Sequence, residues 1–328
     1  MPRLEVAKRA LAQSEAEFFR RPQLVALAVG LRETAGQTTN ELCVKAFVRK
    51  KQPIAELPRD QVLPRRIRLP NQQTVAVDVA EMAPAWAPPC FAPDAAAPAL
   101  DGFRTRRRPA IGGVSIAHYA FDIGTLGAVV RDRQDSRFGY VLSNNHVLAR
   151  LGAARTGDPI LQPARADGGR YPQDQIAQLC RTVPIRFEAG SSNVVDAAVG
   201  CAVFADVDRR VFWGGPPRAV VAKTSVRPGA RVQKTGRTTG HTEGTIVGIN
   251  GTVLVNYAFV GSEYGITTFR EQIITTQMSG YGDSGSLLLD LDGNAMGLLF
   301  GGSYTHTYYN YIDDVQRELG IVVAENTI

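Results

Sequence analysis

Histidine and cysteine are both scarce in this 328-residue chain, which has four of each. No run of about 18 apolar residues occurs, so we expect no transmembrane helix and no membrane partner. The N-terminal residues lack an apolar block of the kind that directs secretion. The cysteines are far apart and none forms a C-x-x-C pair, so we expect reduced thiols and a cytoplasmic location. They are Cys43, Cys90, Cys180 and Cys201.

The charge balance is only mildly basic, with 37 Lys and Arg against 31 Asp and Glu and a net charge of +6. This excess is too small to argue for nucleic acid as a partner, and the arginine-rich tracts at 65–68 and 104–108 are expected to be solvated. No cluster of His, Cys and carboxylates has the spacing of a zinc site. The sequence therefore predicts no metal and no cofactor.

Residues 1–82 are predicted to form a small α/β domain. A helix is expected over residues 3–20, and strands are expected over 23–33 and 41–49. The apolar face of the helix consists of Leu4, Ala7, Leu11 and Phe18. This domain carries no phosphate-binding loop and no other recognisable chemistry, so we expect it to mediate homo-oligomerisation or to dock a partner protein.

The composition and the spacing of apolar residues change twice further along the chain. Residues 83–110 are rich in proline, alanine and arginine and are predicted to form an extended linker. From residue 111 onward, ten or more short apolar runs are separated by Gly, Asn, Asp and Pro, which indicates an all-β sandwich or barrel. A final helix is predicted at 312–319.

Three residues in the β-rich part have the chemistry of a nucleophilic site. His146 lies in Y-V-L-S-N-N-H-V-L, Asp196 in N-V-V-D-A-A-V, and Ser284 in G-Y-G-D-S-G-S. A serine hydroxyl becomes a good nucleophile only when an imidazole takes its proton and a carboxylate orients that imidazole. Backbone N–H groups must also bind the developing oxyanion, and Gly282 and Ser284 are placed to supply them.

Each of these assignments has an alternative. Ser284 can be an ordinary turn serine, because G-D-S-G alone is a short pattern. Asp158, Asp167 and Asp174 compete with Asp196 for the carboxylate role. His241 and His306 are expected to be surface or loop histidines, although His306 can also line a substrate cleft.

The three motifs together resemble those of the trypsin-like serine peptidases of the chymotrypsin fold. The N-N-H-V segment resembles that of the bacterial HtrA/Deg branch. The whole series of motifs is similar to that of intracellular bacterial peptidases akin to the plant narrow-leaf proteins. The resemblance covers about two-thirds of the chain. It implies a peptidase domain over 111–328 with two six-stranded antiparallel barrels, at about 111–205 and 218–311. His146 and Asp196 would lie on the first barrel and Ser284 on the second.

The same resemblance implies a substrate pocket and one internal contact. Met278 would lie near the pocket floor, with Gly301 and Gly302 along its wall, which favours an apolar or small substrate side chain. Asp283, next to the nucleophile, is expected to meet an internal donor. Ser286 departs from the family pattern, which usually has glycine there.

The sequence thus predicts a serine endopeptidase that cleaves a protein or peptide substrate through a His-Asp-Ser triad and an acyl-enzyme. We expect it to be regulated, or latent until an activating partner protein arrives. The alternative is a binding scaffold with the protease fold, whose site is idle or locked and which acts through a partner.

Overall fold

The computed structural model describes residues 2–87, 102–134, 137–188, 190–212, 214–258 and 265–326. Half of the predicted linker, residues 88–101, lies outside these residues. The prediction of a mainly β fold is confirmed, since the helices are few: α1 (Pro2–Phe18), α2 (Asn145–Leu148) and α3 (Ile312–Leu319). Helix α3 has the range that the sequence predicts. None of the helices in the described part of the chain combines the length and the apolar character that a membrane crossing requires.

The N-terminal segment forms one helix packed on a small set of strands. Its strands are β1 (Leu24–Thr34), β2 (Gln37–Val48), β3 (Arg66–Arg68), β4 (Thr74–Glu81) and β5 (Ala85–Trp86). β1 and β2 form an antiparallel hairpin, β4 runs parallel to β2, and β3 pairs antiparallel with β4. The predicted apolar face of α1 is buried, because it packs against β1 and β2.

The strands between residues 110 and 211 come next in the chain. They are β6 (Ala110–Gly112), β7 (Ala117–His118), β8 (Ala128–Asp132), β9 (Gly139–Ser143), β10 (Pro159–Leu161), β11 (Gln175–Thr182), β12 (Ala198–Ala202) and β13 (Val207–Val211). Six of them form an antiparallel sheet in the order β8-β9-β12-β11-β10-β7, and the C-terminal β20 (Ile321–Val322) pairs with β8 at its edge. β6 and β13 pair with each other in parallel. Within the described residues no pairing joins the two ends of the larger sheet.

Six later strands close into a ring. They are β14 (Arg231–Gly236), β15 (Gly240–Asn256), β16 (Ile266–Thr276), β17 (Leu287–Asp290), β18 (Ala295–Gly302) and β19 (His306–Tyr311). The antiparallel order is β14-β17-β18-β19-β16-β15, and β15 pairs back to β14. This closure is a six-stranded barrel within the range expected for the second barrel.

The N-terminal strands continue the sheet of this barrel. β1 pairs antiparallel with β15, with Ala26 opposite Val253 and Val29 opposite Ile249. Leu27 of β1 lies in the same apolar cluster as the barrel residues of β14 to β19. The segment predicted as a separate unit therefore shares both hydrogen bonds and a hydrophobic core with the barrel, and it covers an edge that β15 would otherwise expose.

The second half of β2, from Cys43 to Phe47, is buried on both faces, whereas its alternating sequence predicts a single buried face. Val44 and Ala46 pack into the core under α1, as the alternation indicates. Phe47 points the other way and is also fully buried, in a second cluster with Met82 and Ala85. The difference arises because residues 82–87 cover the face that the pattern assigns to solvent.

The prediction of four reduced thiols is wrong for two of them. Cys180 and Cys201 form a disulfide with a Cα–Cα distance of 5.8 Å. Antiparallel pairing of β11 with β12 brings these cysteines together although 21 residues separate them. Cys43 is free and buried, and burial raises its thiol pKa to about 12. Disulfides persist mainly in oxidising compartments, so the thiols no longer support a cytoplasmic location.

Candidate active site

His146 lies on the short helix α2, directly after strand β9. Its ring Nδ1 is 2.5 Å from Asp196 Oδ2, and its backbone N–H donates to Asp196 Oδ1 at 3.2 Å. Asn144 donates from Nδ2 to the backbone carbonyl of Asp196 at 2.7 Å, which fixes the two segments against each other. Both oxygens of one carboxylate thus hold the histidine, an arrangement that sets its tautomer and places the proton on Nδ1.

Two further residues, which the sequence analysis missed, hold Asp196. The Tyr257 hydroxyl donates to Oδ2 of Asp196 at 2.8 Å. The backbone N–H of Asp196 donates to Asn310 Oδ1, on strand β19 of the closed barrel, at 2.9 Å. Burial, followed by the charge of Asp196, raises the pKa of Tyr257 well above its usual range, so this phenol stays protonated as a donor. Neither residue stands in a motif that marks it.

Ser284 occupies a glycine turn before β17. Gly282 and Gly285 have φ angles of 100° and 97°, the left-handed region that favours glycine. The Ser284 carbonyl accepts a hydrogen bond from the N–H of Thr125 at 2.8 Å, and a Cβ at Gly285 would collide with Ser143 Oγ. Since Ser143 ends β9 just before His146, the turn of the closed barrel lies against the segment that carries the histidine.

Two polar side-chain atoms of this arrangement are buried and unpaired among the described residues. Nε2 of His146 and Oγ of Ser284 both lack a hydrogen-bond partner among the described residues. The backbone N–H groups of Gly282 and Ser284 donate to no backbone acceptor in the described part of the chain. His146, Asp196 and Ser284 are each 0% exposed. A base, a hydroxyl and two donors therefore lie uncommitted inside the protein.

Asp283 is held by internal donors, as predicted. Its Oδ1 accepts from the N–H groups of Thr238 and Thr239 at 2.8 and 3.2 Å. Its Oδ2 accepts from the Gly280 N–H at 2.9 Å and lies 3.3 Å from Lys234 Nζ. Lys234 and Asp283 are both buried, so this pair of opposite charges fixes the turn that carries Ser284.

The three alternative carboxylates pair with side chains other than His146. Asp158 pairs with His118, with Oδ2 3.1 Å from Nε2. Asp167 accepts from Arg237 Nε at 2.8 Å, and Asp174 lies 3.1 Å from Arg106 Nε. Among these candidates only Asp196 contacts His146 in the described structure. The remaining histidines lie elsewhere: His241 is exposed beside Gln233, and His306 packs edge-on to Phe47.

The predicted pocket residues lie in two different surroundings. Met278 is buried in the barrel core, where the Tyr309 hydroxyl is 3.7 Å from its Sδ. Gly301 and Gly302 end β18, and Gly302 is paired with Trp86 of β5. The chain's own strand therefore lies along the glycine wall.

Tyr257→Phe tests the tyrosine contact, because it removes the donor hydroxyl and keeps the ring. A hydrogen bond to a charged group contributes about 1.5–3 kcal/mol, so we expect the rate constant for fluorophosphonate labelling of Ser284 to fall by about ten- to a hundredfold. Tyr308→Phe is the matched control, since Tyr308 is fully buried in the same cluster and does not hydrogen-bond Asp196. Equal rates for the two variants would show that the Tyr257 hydroxyl does not position Asp196.

No protein-family model matches the sequence, and no curated protein matches it. Solved structures do. Thermobifida fusca Protease A is 20% identical with a TM-score of 0.46, covering 65% of this chain and 97% of that one. Cellulomonas bogoriensis chymotrypsin is 21% identical, with a TM-score of 0.42 and the same two coverages. Deg5 is 18% identical with a TM-score of 0.38, covering 65% of this chain and 88% of its own. At these values the likeness carries no argument about activity, which has to come from the residues.

Proposed function

We propose that the chain is a serine endopeptidase in which Ser284, His146 and Asp196 form the catalytic triad. One observation carries the proposal: a buried His146–Asp196 pair, 2.5 Å apart, lies beside a glycine turn whose serine hydroxyl has no partner among the described residues. A structural histidine would use its second ring nitrogen for a hydrogen bond within the protein. The unpaired Nε2 instead fits a general base that is available to accept a proton.

In the proposed reaction, Ser284 Oγ attacks the carbonyl carbon of the scissile peptide bond while His146 Nε2 takes its proton. Asp196 stabilises the imidazolium, and the N–H groups of Gly282 and Ser284 bind the oxyanion. His146 then protonates the leaving amine, and water hydrolyses the acyl-enzyme by the same route. We expect a small or apolar side chain at the cleaved residue, because the proposed pocket wall at Gly301 and Gly302 carries no charged side chain.

We further propose that the enzyme is latent in this conformation. A substrate carbonyl must come within about 3–3.5 Å of the hydroxyl before it can react, and Ser284 is 0% exposed. A polypeptide therefore needs an opening movement before cleavage. The same burial favours the second candidate function, a locked scaffold that acts only through a partner.

Labelling with a fluorophosphonate separates the two candidates, because the probe reacts with an activated serine whatever the natural substrate is. We expect the wild-type chain to be labelled at Ser284 during the opening movements that expose it, and Ser284→Ala and His146→Ala to remain unlabelled. Ser225→Ala, which removes an exposed hydroxyl outside the site, is the control and should retain the label. A wild-type chain that stays unlabelled under all conditions would favour the locked scaffold.

Self-association through residues 1–82, an activating partner and a cytoplasmic location remain predictions. Light scattering of the full chain tests the first directly. Deleting residues 1–82 is unsuitable for that purpose, because β1 supplies hydrogen bonds to β15 and its removal would damage the closed barrel.

A further inference from the structure

A short segment lies along the end of β18 and is held by backbone hydrogen bonds near both of its ends. We call residues 82–87 the strap. Met82 N–H donates to Val48 O at 2.9 Å, Ala83 N–H to Thr305 Oγ1 at 3.2 Å, and Ala87 N–H to Asn256 O at 3.0 Å. These bonds join the strap to β2, to the turn before β19 and to the end of β15. The segment is thus fitted to the surface of the closed barrel along its length.

The strap is inserted between two strand ends. Trp86 pairs antiparallel with Gly302 at the end of β18 and in parallel with Asn256 at the end of β15. These two strands are not neighbours in the barrel, so their ends leave a slot that accepts one extended chain. A Cβ at Gly301 would lie 2.9 Å from the Trp86 carbonyl oxygen, and glycine therefore allows the backbone to approach this closely.

The slot adjoins the candidate active site. On β18, Leu299 exchanges hydrogen bonds with the nucleophile turn: Gly285 N–H donates to Leu299 O at 2.8 Å, and Leu299 N–H to Ser286 O at 2.9 Å. The slot begins two residues further along this strand. On its other side, Asn256 directly precedes Tyr257, whose hydroxyl binds Asp196. The strap therefore contacts two strands that adjoin the candidate site: β18, through which Leu299 bonds the serine turn, and β15, which is followed by Tyr257.

The side chains of the strap show what the slot accepts. Ala85 and Ala87 are 5% and 1% exposed, and both pack in the apolar cluster that contains Tyr257 and Phe300. Trp86, between them, is partly exposed. Alternation is the mark of an extended strand with one buried face. The buried positions have room for small apolar residues, and the position between them tolerates a large aromatic one.

We propose that the strap is an intramolecular occupant of a peptide-binding slot, and that a polypeptide substrate must displace it. The preferred ligand is an extended peptide with small apolar residues on either side of an aromatic residue. That the displacing polypeptide is a substrate rests on the proposed peptidase function. Binding by strand addition uses main-chain hydrogen bonds for affinity and alternate side chains for specificity. If a closed strap leaves less than a tenth of molecules open, the apparent affinity for a free peptide falls about tenfold or more.

The test measures binding without requiring activity. In a Ser284→Ala background, we would titrate a fluorescent peptide of the strap sequence, MAPAWA, against the chain with the unmodified strap and against Ala87→Asp. The buried carboxylate should expel the strap, so we expect Ala87→Asp to bind the peptide at least about tenfold more tightly. Ala55→Asp, the same substitution at an exposed alanine, is the control and should bind like the unmodified chain. Equal affinities for all three chains would overturn the proposal.

Two further measurements protect this result against misfolding. Ala85→Asp should act like Ala87→Asp, and both melting curves should stay cooperative. If both variants unfold, excess peptide added to the unmodified chain should accelerate hydrogen exchange in the strap, and an unchanged rate would overturn the proposal.

With Ser284 restored, Ala87→Asp should cleave casein about tenfold faster than the wild-type chain. Equal rates in two labelled enzymes would refute the inhibitory role of the strap. Absence of fluorophosphonate label would refute the proposed function instead, while the peptide titration still decides whether the strap fills a slot.

Discussion

Asp196→Asn is expected to lower the rate of fluorophosphonate labelling about 10⁴-fold while leaving the chain folded. Asparagine keeps the size of aspartate, but its amide has one donor end. The carboxylate of Asp196 now accepts from the His146 backbone, the His146 ring and the Tyr257 hydroxyl. An amide cannot accept at both ends. Where its N–H₂ faces His146 Nδ1, either two donors oppose each other or the ring proton moves to Nε2, which is the wrong tautomer for a base. A loss of about this size is typical when the carboxylate of a working triad is replaced in this way.

The chain supplies a matched control for this experiment. His118, on β7, and Asp158, directly before the neighbouring strand β10, form a second His–Asp pair with a distance of 3.1 Å. Asp158 was also a rival for the catalytic carboxylate on sequence grounds. Asp158→Asn removes the same charge from the same kind of pair, and we expect the labelling rate to change by less than about twofold. A large loss in Asp158→Asn together with a small loss in Asp196→Asn would contradict the assignment.

The measurement should compare labelling rate constants with the unfolding curves of the same samples. Asp196 also accepts at its backbone carbonyl and donates to Asn310, and these contacts do not depend on the carboxylate. The Asn variant should therefore keep a cooperative melting transition. A variant that is slow and also unfolded would not distinguish a catalytic role from a structural one, and Asp196→Ser, which leaves no amide donor, then provides the second test.

The local parts of this molecule follow from its sequence, and the distant contacts do not. The helical face of Leu4, Ala7 and Leu11 and the range of α3 are visible because each depends on neighbours within one or two turns. The order of His146, Asp196 and Ser284 was visible because each stands in a short motif. In the structure the first two contact each other, and the turn of the third packs beside them.

What the sequence could not reveal depends on pairing between remote segments. In the sequence Tyr257 is an ordinary tyrosine at the end of a strand. Its contact with Asp196 spans 61 residues and exists only in the folded chain. Cys180 and Cys201 become neighbours only because β11 pairs with β12. Trp86 stands in a proline-rich stretch that predicts an extended linker, and its extended backbone is indeed what β18 accepts. The pattern therefore indicated the conformation of this segment and missed its partner.

Asp283→Asn is expected to lower the free energy of unfolding by about 3–5 kcal/mol at neutral pH. The substitution leaves Lys234 buried without its opposite charge, and breaking a buried ion pair from one side costs about this much. It also turns an amide N–H₂ toward Lys234 Nζ and the Gly280 N–H, or toward the Thr238 and Thr239 N–H groups. Urea denaturation in a Ser284→Ala background, which prevents self-cleavage, measures the loss.

The control is the double variant Lys234→Met with Asp283→Asn. Methionine fills a similar volume without a charge, so the double variant should recover about 2 kcal/mol or more of the loss. Losses that simply add would show that the two charges do not interact. The unpaired lysine also gives the single variant a pH signature that a packing defect would lack.

Burial lowers the pKa of Lys234, and the charge of Asp283 opposes that effect. Removing Asp283 leaves burial unopposed, so the folded variant prefers neutral lysine while the unfolded chain still binds its proton. The unfolded state then binds more protons, and the stability of the variant rises with pH. Its deficit should shrink as pH approaches the ordinary lysine value of about 10.4, whereas a constant deficit would contradict a charge effect. Because Asp283 and Lys234 fix the turn that carries Ser284, the labelling rate should fall together with the stability of the variant.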